Sequence, residues 1–287
     1  MACPELTLSH DQATELVSYR TDLSDVASLE SSILQDPGLR TRLAGWFAEN
    51  LYVKAKTLWT RHDHFVIRGV PPSDDGSTGL LVAAAFFPRL KPYRGARIVK
   101  HFRLSPWTTE LSHTLAEGHF HTDINTAAEP PIGTVMQCVV PDPDAPRHGQ
   151  LRVARLDDLL DSVRHAGSTR VWRLLTEDRV IMENGTDPES WSGTITDGGT
   201  IRYHPVTLCS AQRRCGLNPH DLEDCLAAIH EAALSVSHPI DLAPGEMLVV
   251  SNRRALHQRS ACTVRFRSFP RDFETRAVAV LHALEGP

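Results

Sequence analysis

The segment His121-Thr122-Asp123 places an imidazole and a carboxylate two residues apart in a stretch with little helical character. On an extended chain, residues i and i+2 point the same way, so both side chains could bind one metal ion. A third ligand must come from elsewhere, and His257, which follows a strongly apolar segment, is the candidate. Two histidines and one carboxylate are the facial ligand set of non-haem Fe(II) oxygenases, and this set leaves coordination positions open for a co-substrate and O2.

The spacing of this motif has low specificity by itself. Among 15 histidines, chance alone gives roughly two that are followed at i+2 by a carboxylate. The competing interpretation is that His121 belongs to a polar turn and that His257 is an ordinary surface or core histidine. The motif therefore needs support from the rest of the chain.

Composition and charge narrow the classes of function. The chain has 287 residues, of which 41% are hydrophobic and 23% charged, as in a soluble globular protein with a sizeable core. A net charge of -5 and a pI near 6.3 argue against a general binder of nucleic acid or of anionic membranes. The longest apolar run, residues 80–87, is too short to span a bilayer. The N-terminus has no signal-peptide pattern and the cysteines form no CxxC pair, which predicts a cytoplasmic protein with free thiols.

Hydrophobic periodicity predicts helices at the front of the chain and mostly strands behind them. The predicted helices cover residues 23–61, 74–87, 156–167 and 218–236. The predicted strands cover residues 64–71, 97–104 and 132–140, several short pieces after residue 171, and residues 244–252, 262–269 and 275–281. There are no repeats and no linker, so residues 1–287 are predicted to form one domain with a β-sandwich or barrel core that helices support.

Two segments resemble the signature regions of the taurine/2-oxoglutarate dioxygenase superfamily, in particular its clavaminate synthase-like branch. They are "FHTDINTAAEPPIGTVMQC" (residues 120–138) and "GEMLVVSNRRALHQRSACTVRF" (residues 245–266). The flanking segments "FVIRGVP" and "GTIRYHP" fall in the expected order, so the resemblance extends from about His64 to Leu281. It implies a mainly β fold with flanking helices and a double-stranded β-helix (jelly-roll) core.

The same resemblance implies that His121, Asp123 and His257 hold Fe(II), with 2-oxoglutarate as cosubstrate and O2 as oxidant. The distal carboxylate of 2-oxoglutarate needs a cation, because burying it unpaired is unfavourable, and the planar fork of arginine suits a carboxylate best. In this branch of the superfamily that arginine follows the distal histidine by about fourteen residues, which is Arg271 here.

This sequence departs from the family pattern around the cosubstrate. Relatives usually space two arginines by four residues, whereas Arg271 and Arg276 are five apart, so we expect Arg276 to support Arg271 or to share its role. Relatives also often carry a threonine that bonds 2-oxoglutarate near the start of the next strand. This chain offers Gln150 or Leu151 there, and Gln150 is the candidate.

Residues that flank the metal loop in this family usually line the substrate pocket, which makes Glu117, His119 and Asn125 candidates to bind the substrate. Relatives that hydroxylate free amino acids often have a carboxylate where this chain has His119. The intact Asp123 disfavours halogenation.

The resemblance implies an oxidoreductase that hydroxylates, desaturates or cyclises a small polar molecule, such as an amino acid or an intermediate of antibiotic biosynthesis, with release of succinate and CO2. No nucleic-acid or membrane partner is expected, and the oligomeric state is left open. Two alternatives remain: a zinc-dependent hydrolase that uses the same three ligands and has no use for Arg271, and a non-catalytic jelly-roll binding protein.

Overall fold

The computed structural model describes residues 3–20, 25–184, 189–218 and 220–287. Its helices are α1 (His10–Ser18), α2 (Val26–Gln35), α3 (Pro37–Asn50), α4 (Tyr52–His62), α5 (Ser77–Phe86), α6 (Leu156–His165), α7 (Thr169–Thr176), α8 (Pro205–Arg214) and α9 (His220–Val236). Its strands are β1 (Glu5–Thr7), β2 (His64–Arg68), β3 (Lys100–Arg103), β4 (Gly133–Val140), β5 (Leu151–Arg155), β6 (Arg179–Glu183), β7 (Ser190–Thr194), β8 (Thr196–Asp197), β9 (Thr200–Ile201), β10 (Met247–Ser251), β11 (Ala255–Arg259), β12 (Val264–Ser268), β13 (Asp272–Thr275) and β14 (Ala277–Ala283).

A six-stranded sheet in the order β1-β2-β10-β4-β14-β3 forms the larger β layer. The β1–β2 pair is parallel, and the other neighbours are antiparallel. The central strand β4 is buried along most of its length, which its nearly continuous apolar sequence favours because both faces of the sheet are covered. A bulge between Ala277 and Val278 interrupts the pairing of β14 with β4 and sets the register of the residues that follow.

A second, two-stranded sheet of β5 and β11 faces the larger one across an apolar layer. Met136 and Val280 from the large sheet pack in this layer with Leu151 and Val153 from the small sheet. The small sheet carries His257 on β11, paired with Val153 on β5. The small sheet therefore provides one of the three predicted ligands, opposite a residue of the apolar layer.

Helices cover the outer faces of both sheets. Helices α1 to α5 share a hydrophobic cluster with the large sheet, and α6, α7 and α9 share another with β5 and β11. Every residue of α5 is buried, because this helix lies between the sheet and the other front helices. Among the described residues, no helix combines the length and the apolar character that crossing a bilayer requires.

The structure corrects two parts of the element prediction. The helical region expected over residues 23–61 divides into α2, α3 and α4, and its predicted start at residue 23 lies outside the described residues. Asp36 caps α3 by accepting the N–H of Gly38 at 2.8 Å, and Pro37 suits the first helical position because it needs no intrahelical donor. The strands expected after residue 171 are interrupted by two helices, α7 and α8. In α7, buried Val171, Leu174 and Leu175 recur at helical spacing, which an alternating pattern would not give.

Candidate metal centre and substrate cavity

His121 and His257 lie on adjacent extended segments. The N–H of each donates to the carbonyl of the other, at 3.0 and 3.1 Å, and these two bonds form an isolated antiparallel bridge. Their rings are 4.5 Å apart between centroids. Because β11 also pairs with β5, the segment that carries His121 extends the small sheet on its other side. Two residues far apart in the sequence are thereby placed next to each other.

Asp123 completes a cluster of three donor groups. His121 Nε2 lies 3.5 Å from Asp123 Oδ1, and His257 Nε2 lies 3.4 Å from Asp123 Oδ2. The three ligand atoms all lie within 4.8 Å of one another. Two ligand atoms that bind one ion at right angles, each about 2.1 Å from it, are about 3 Å apart. The three side chains therefore need to approach one another only slightly to bind one ion. The structure thus brings together the three predicted ligands, and two imidazoles with one carboxylate fit Fe(II).

The cluster is reachable from solvent. The side chains of His121 and Asp123 are 26% and 20% exposed, whereas His257 is 6% exposed. The ring of His121 is also fixed from behind, because its Nδ1 lies 2.8 Å from the carbonyl of His119 and donates to it. This bond leaves Nε2 of His121 as the nitrogen directed to the metal position.

The backbone at Asp123 is clamped by Asn252, which is 1% exposed. Its Oδ1 accepts the N–H of Asp123 at 2.7 Å, and its Nδ2 donates to the carbonyls of Asp123 and Pro131, both at 3.0 Å. The next residue, Ile124, has a φ of 52°, a left-handed conformation that β-branched residues rarely adopt. The clamp rather than local preference therefore holds the turn that directs Asp123 inward.

Two further polar side chains reach Asp123 from the large sheet. Thr134 Oγ1 donates to Asp123 Oδ2 at 2.6 Å, and His282 Nε2 lies 3.2 Å from the same oxygen. Thr134 is fully buried and His282 is 4% exposed. The sequence analysis singled out neither residue.

The electrostatics of the cluster favour an ionised Asp123 and a neutral His257. Burial alone raises the pKa of Asp123, but nearby His257 and the close contacts with His121 and His282 outweigh it and hold that pKa well below its ordinary value. Burial lowers the pKa of His257, which favours the neutral imidazole that binds metals. Burial also acts to lower the pKa of His121, yet the hydrogen bond and charge of Asp123 raise it overall.

His204 is a polar neighbour of the cluster that the sequence analysis did not name individually. Its ring lies 4.9 Å from that of His121. It precedes Pro205 at the start of α8, where its Nδ1 accepts the N–H of Val206 at 3.2 Å. Burial, with smaller contributions from His121 and His119, lowers the pKa of His204 to about 3, so the ring is neutral and its Nε2 carries the proton.

A cavity of about 520 Å³ is lined by residues that neighbour the cluster in the sequence, and none of the three metal-ligand candidates is among its described lining residues. Its lining includes His119 and Phe120, which immediately precede His121, and Tyr203 and Pro205, which flank His204. Helix α9 closes another side with apolar and polar residues, among them Leu226, Ala227, His230 and Glu231. The volume lies in the range of pockets for small molecules.

Two of the three predicted substrate residues, Glu117 and His119, line this cavity. Glu117 Oε1 accepts a hydrogen bond of 2.7 Å from Gln258 Nε2. Gln258 is fully buried next to His257 and also donates to the carbonyl of Gly118 at 3.0 Å. The carboxylate of Glu117 is thereby oriented by the strand that carries a metal ligand.

The structure does not bring Asn125 to this cavity, and Gln150, the cosubstrate candidate, lies beside Asp241, which lines the small cavity next to Arg276. Asn125 is 4% exposed, and its Nδ2 donates to Thr207 Oγ1 at 2.7 Å and lies 3.0 Å from Met182 Sδ. Its amide therefore joins the metal loop to α8 and β6. Gln150 Nε2 lies 3.4 Å from Asp241 Oδ2, outside the metal cluster.

The two candidate arginines have different environments. Arg271 is exposed in the turn between β12 and β13. Arg276 is 5% exposed at the start of β14, and burial lowers its pKa. Among the described residues, no carboxylate pairs with Arg276 within 4.0 Å. Beside it lies a small cavity of about 30 Å³, which Gly149 and Asp241 also line.

Comparison with known proteins assigns the family. The family model described as taurine catabolism dioxygenase TauD, TfdA family matches residues 42–268, which is most of the chain. The chain belongs to this family. The enzyme class and cofactors that the resemblance implied are confirmed: the TauD/TfdA protein is an Fe(II)- and 2-oxoglutarate-dependent dioxygenase.

Solved structures share the fold of this TauD/TfdA protein. An asparagine oxygenase in complex with Fe(II), (2S,3S)-3-hydroxyasparagine and succinate superposes with a TM-score of 0.69 at 15% identity, over 98% of this chain and 93% of that one. The non-haem iron oxygenase OrfP with Fe and α-ketoglutaric acid gives a TM-score of 0.64 at 16% identity, over 99% of this chain and 94% of that one. A complex of OrfP with Fe, succinate and (3S)-hydroxy-L-Arg gives a TM-score of 0.64 at 15% identity, over 98% and 94% of the two chains. Comparison with curated protein sequences gives no significant match.

Two signals in the sequence could have identified the residues that were missed. The segment "VAVLHAL" places His282 on the same strand face as Val278 and Val280, which indicates a histidine in the interior. His204 directly precedes Pro205, a pattern that favours a helix N-terminus with a capping side chain. Thr134 carries no such signal, because it is one threonine within an apolar strand.

Proposed function

We propose that this TauD/TfdA dioxygenase hydroxylates a small, amine-bearing substrate, such as a free amino acid or a natural-product intermediate. The observation that carries the proposal is the cluster of His121, Asp123 and His257, together with a cavity of about 520 Å³ that His119 and Phe120, directly before His121, help to line. When bound, iron and 2-oxoglutarate supply the oxidation of an unactivated C–H bond by O2, with release of succinate and CO2. The hydroxylated asparagine and arginine in two complexes of similar fold support an amino-acid substrate.

His121 Nε2, His257 Nε2 and the Asp123 carboxylate would hold the iron. The bond from His121 Nδ1 to the carbonyl of His119 fixes the tautomer that presents Nε2 to the metal. Because these three groups occupy one side of an ion, the opposite side stays open for the cosubstrate and O2. The Asn252 clamp keeps Asp123 in place while these positions fill.

Arg276 would bind the distal carboxylate of 2-oxoglutarate. Arg276 is 5% exposed and has no carboxylate partner in the described chain, so it is suited to bind an anion because most of the desolvation of its charge has already occurred on folding. The adjoining cavity of about 30 Å³ has room for a group about as large as a water molecule. It can therefore admit one end of the cosubstrate and not the whole molecule. Arg271, exposed in the hairpin turn, is the weaker candidate.

Glu117 would bind the substrate amine, and His119 would contact a polar group beside it. Glu117 is held by Gln258, so its carboxylate is oriented before the substrate arrives. The apolar surfaces of Phe120, Pro205 and Leu226 in the same cavity would exclude water from the aliphatic part of the substrate.

Several finer predictions accompany this proposal. The two facing sheets would form the jelly-roll core that the resemblance implies. Hydroxylation is favoured over desaturation or ring closure by the hydroxylated ligands of the similar structures. An antibiotic-biosynthetic context, a cytoplasmic location and a single domain over residues 1–287 stay predictions.

The test is turnover with a defined panel of substrates. The protein is supplied with Fe(II), 2-oxoglutarate and O2, and succinate is measured for each free L-amino acid and for their simple amides. We expect one group of amine-bearing substrates to raise succinate formation and to gain the mass of one oxygen atom, and Asp123→Ala to abolish both. Hydrolysis of an ester or amide by a zinc-loaded protein, without consumption of 2-oxoglutarate, would show that the proposed function is wrong.

A further inference from the structure

Thr134 and His282 converge on one oxygen of the proposed carboxylate ligand. We propose that these two side chains are positioning residues that bind Oδ2 of Asp123 and so leave Oδ1 to the metal. Thr134 Oγ1 lies 2.6 Å from Oδ2 and His282 Nε2 lies 3.2 Å from it. The ligand His257 also places Nε2 3.4 Å from Oδ2, whereas within the described chain Oδ1 has a contact of this kind only with His121 Nε2, at 3.5 Å. A carboxylate held in this way binds an ion through one oxygen.

Sheet register explains how the two residues meet. Thr134 on β4 is the direct cross-strand partner of His282 on β14, and Val250 on β10 pairs with Thr134 from the other side. Directly opposed residues point to the same face of a sheet. The bulge between Ala277 and Val278 sets this register, and a slip of one residue would turn His282 to the opposite face.

Burial makes the arrangement specific. Thr134 is fully buried and His282 is 4% exposed, so water does not replace either donor readily. The Nε2 atom of His282 is buried and has no well-aligned hydrogen-bond partner in the metal-free protein, although Oδ2 is close. A small movement of Asp123 toward the metal position would change the alignment of this contact.

His282 is not one of the three clustered donor groups. The group of donor atoms that all lie within 4.8 Å of one another contains His121, Asp123 and His257 and excludes His282. Its contact is with Oδ2 of Asp123, the same oxygen to which Thr134 donates. Groups that hydrogen-bond a metal ligand typically change metal affinity about 10- to 100-fold when they are removed.

The test titrates Co(II), a visible substitute for Fe(II), into the metal-free protein without 2-oxoglutarate. Thr134→Val and His282→Leu remove the donors at similar volume, whereas Thr134→Ser and His282→Gln keep a donor at each position. We expect the first pair to weaken Co(II) binding by about 10- to 100-fold and to change the d–d absorption of the bound ion, which reports coordination geometry. The second pair should stay close to the native protein in both properties.

Thermal unfolding of each metal-free variant separates positioning from general stability. If the Ser and Gln variants lose as much affinity as the Val and Leu variants, the residues act through packing and the proposal is wrong. Native affinity with a native spectrum in Thr134→Val and His282→Leu would also overturn it. Complete loss of Co(II) binding in His282→Leu alone would instead make His282 a ligand.

The inference rests on the metal site of the proposed function, and the two can fail separately. A native protein that binds no divalent metal contradicts the proposed function itself. A native protein that binds Co(II) together with unaffected Val and Leu variants contradicts only the roles of Thr134 and His282.

Discussion

Replacing Arg276 with methionine is expected to weaken the binding of 2-oxoglutarate strongly while leaving the metal site intact. The guanidinium is 5% exposed, so solvent screens its interaction with a bound carboxylate only slightly. Removing one partner of a buried, hydrogen-bonded charge pair costs about 2–5 kcal/mol. Taking about 3 kcal/mol, and tenfold per about 1.4 kcal/mol, the Kd of 2-oxoglutarate should rise roughly 150-fold.

The same substitution is not expected to destabilise the protein when the cosubstrate is absent. In that state Arg276 is a buried charge without a carboxylate partner in the described chain, and its desolvation opposes folding. Arg276→Met is therefore expected to keep or raise the Tm of the metal-free, cosubstrate-free protein. Native protein should gain Tm when 2-oxoglutarate is added with a redox-inert metal, and the variant should gain much less at the same concentration.

The assay is anaerobic calorimetric titration of 2-oxoglutarate into the metal-loaded protein, with Arg271→Met as the matched control. Arg271 is exposed in the turn between β12 and β13, so its variant should bind the cosubstrate like the native protein. If Arg271→Met loses affinity and Arg276→Met retains it, the position fourteen residues after His257 is the cosubstrate site. The inference from burial to anion binding would then be refuted.

Three further outcomes are expected. Asn252→Ala leaves the buried N–H of Asp123 without its acceptor, which should lower the free energy of unfolding by about 1–3 kcal/mol and weaken Co(II) binding; an unchanged Tm and affinity would contradict the clamp. Glu117→Gln should raise KM for an amine-bearing substrate about tenfold or more, as loss of a charged hydrogen bond does, with little change in the Kd of 2-oxoglutarate; equal effects on both would contradict a role confined to the substrate. Burial lowers the pKa of His64 from 6.5 to about 4, so the folded protein binds fewer protons than the unfolded chain between these values and its stability should decline as pH falls from about 6.5 to about 4. Urea unfolding of the metal-free native and His64→Gln proteins should show a smaller loss of stability in the variant over this pH range. The same loss in the two proteins would contradict the role of His64.

The three metal ligands could be predicted from the sequence, two of them from their local spacing and all three from the family resemblance. His121 and Asp123 share a face of one extended segment, a relation that spacing alone supplies. The partner His257 was a candidate because it follows a strongly apolar segment, and the second signature region supported that choice. Its position beside His121 depends on a backbone bridge between distant segments, which only the folded chain provides.

The supporting residues could not be predicted in this way, because non-local register decides their positions. Thr134 and His282 meet only because β4 pairs with β14 in the register that a bulge sets. The choice of Arg271 rested on the spacing from His257 that the resemblance implies, and the choice between Arg271 and Arg276 stays a prediction. The structure places Arg271 in the turn of the hairpin of β12 and β13. Pro270, directly before it, is a turn signal.

The helices α7 and α8 are the elements of the fold that local sequence patterns did not predict. Both begin at capping residues, Ser168 and His204, within a region whose short apolar pieces also suit strands. For segments of eight to ten residues, periodicity separates helix from strand poorly. Their packing against neighbouring elements, α9 for α7 and β6 for α8, is a tertiary relation that no local window contains.

The most direct test of the central claim is an anaerobic titration of the metal-free protein with Fe(II) and then 2-oxoglutarate, followed by visible absorption. We expect one Fe(II) per chain and a weak metal-to-ligand band in the green that appears only when Fe(II) and 2-oxoglutarate are both present. We also expect Asp123→Ala and His257→Ala to abolish the band. Tight zinc binding with no band from Fe(II) and 2-oxoglutarate together would contradict the assignment of His121, Asp123 and His257 to an iron and 2-oxoglutarate site.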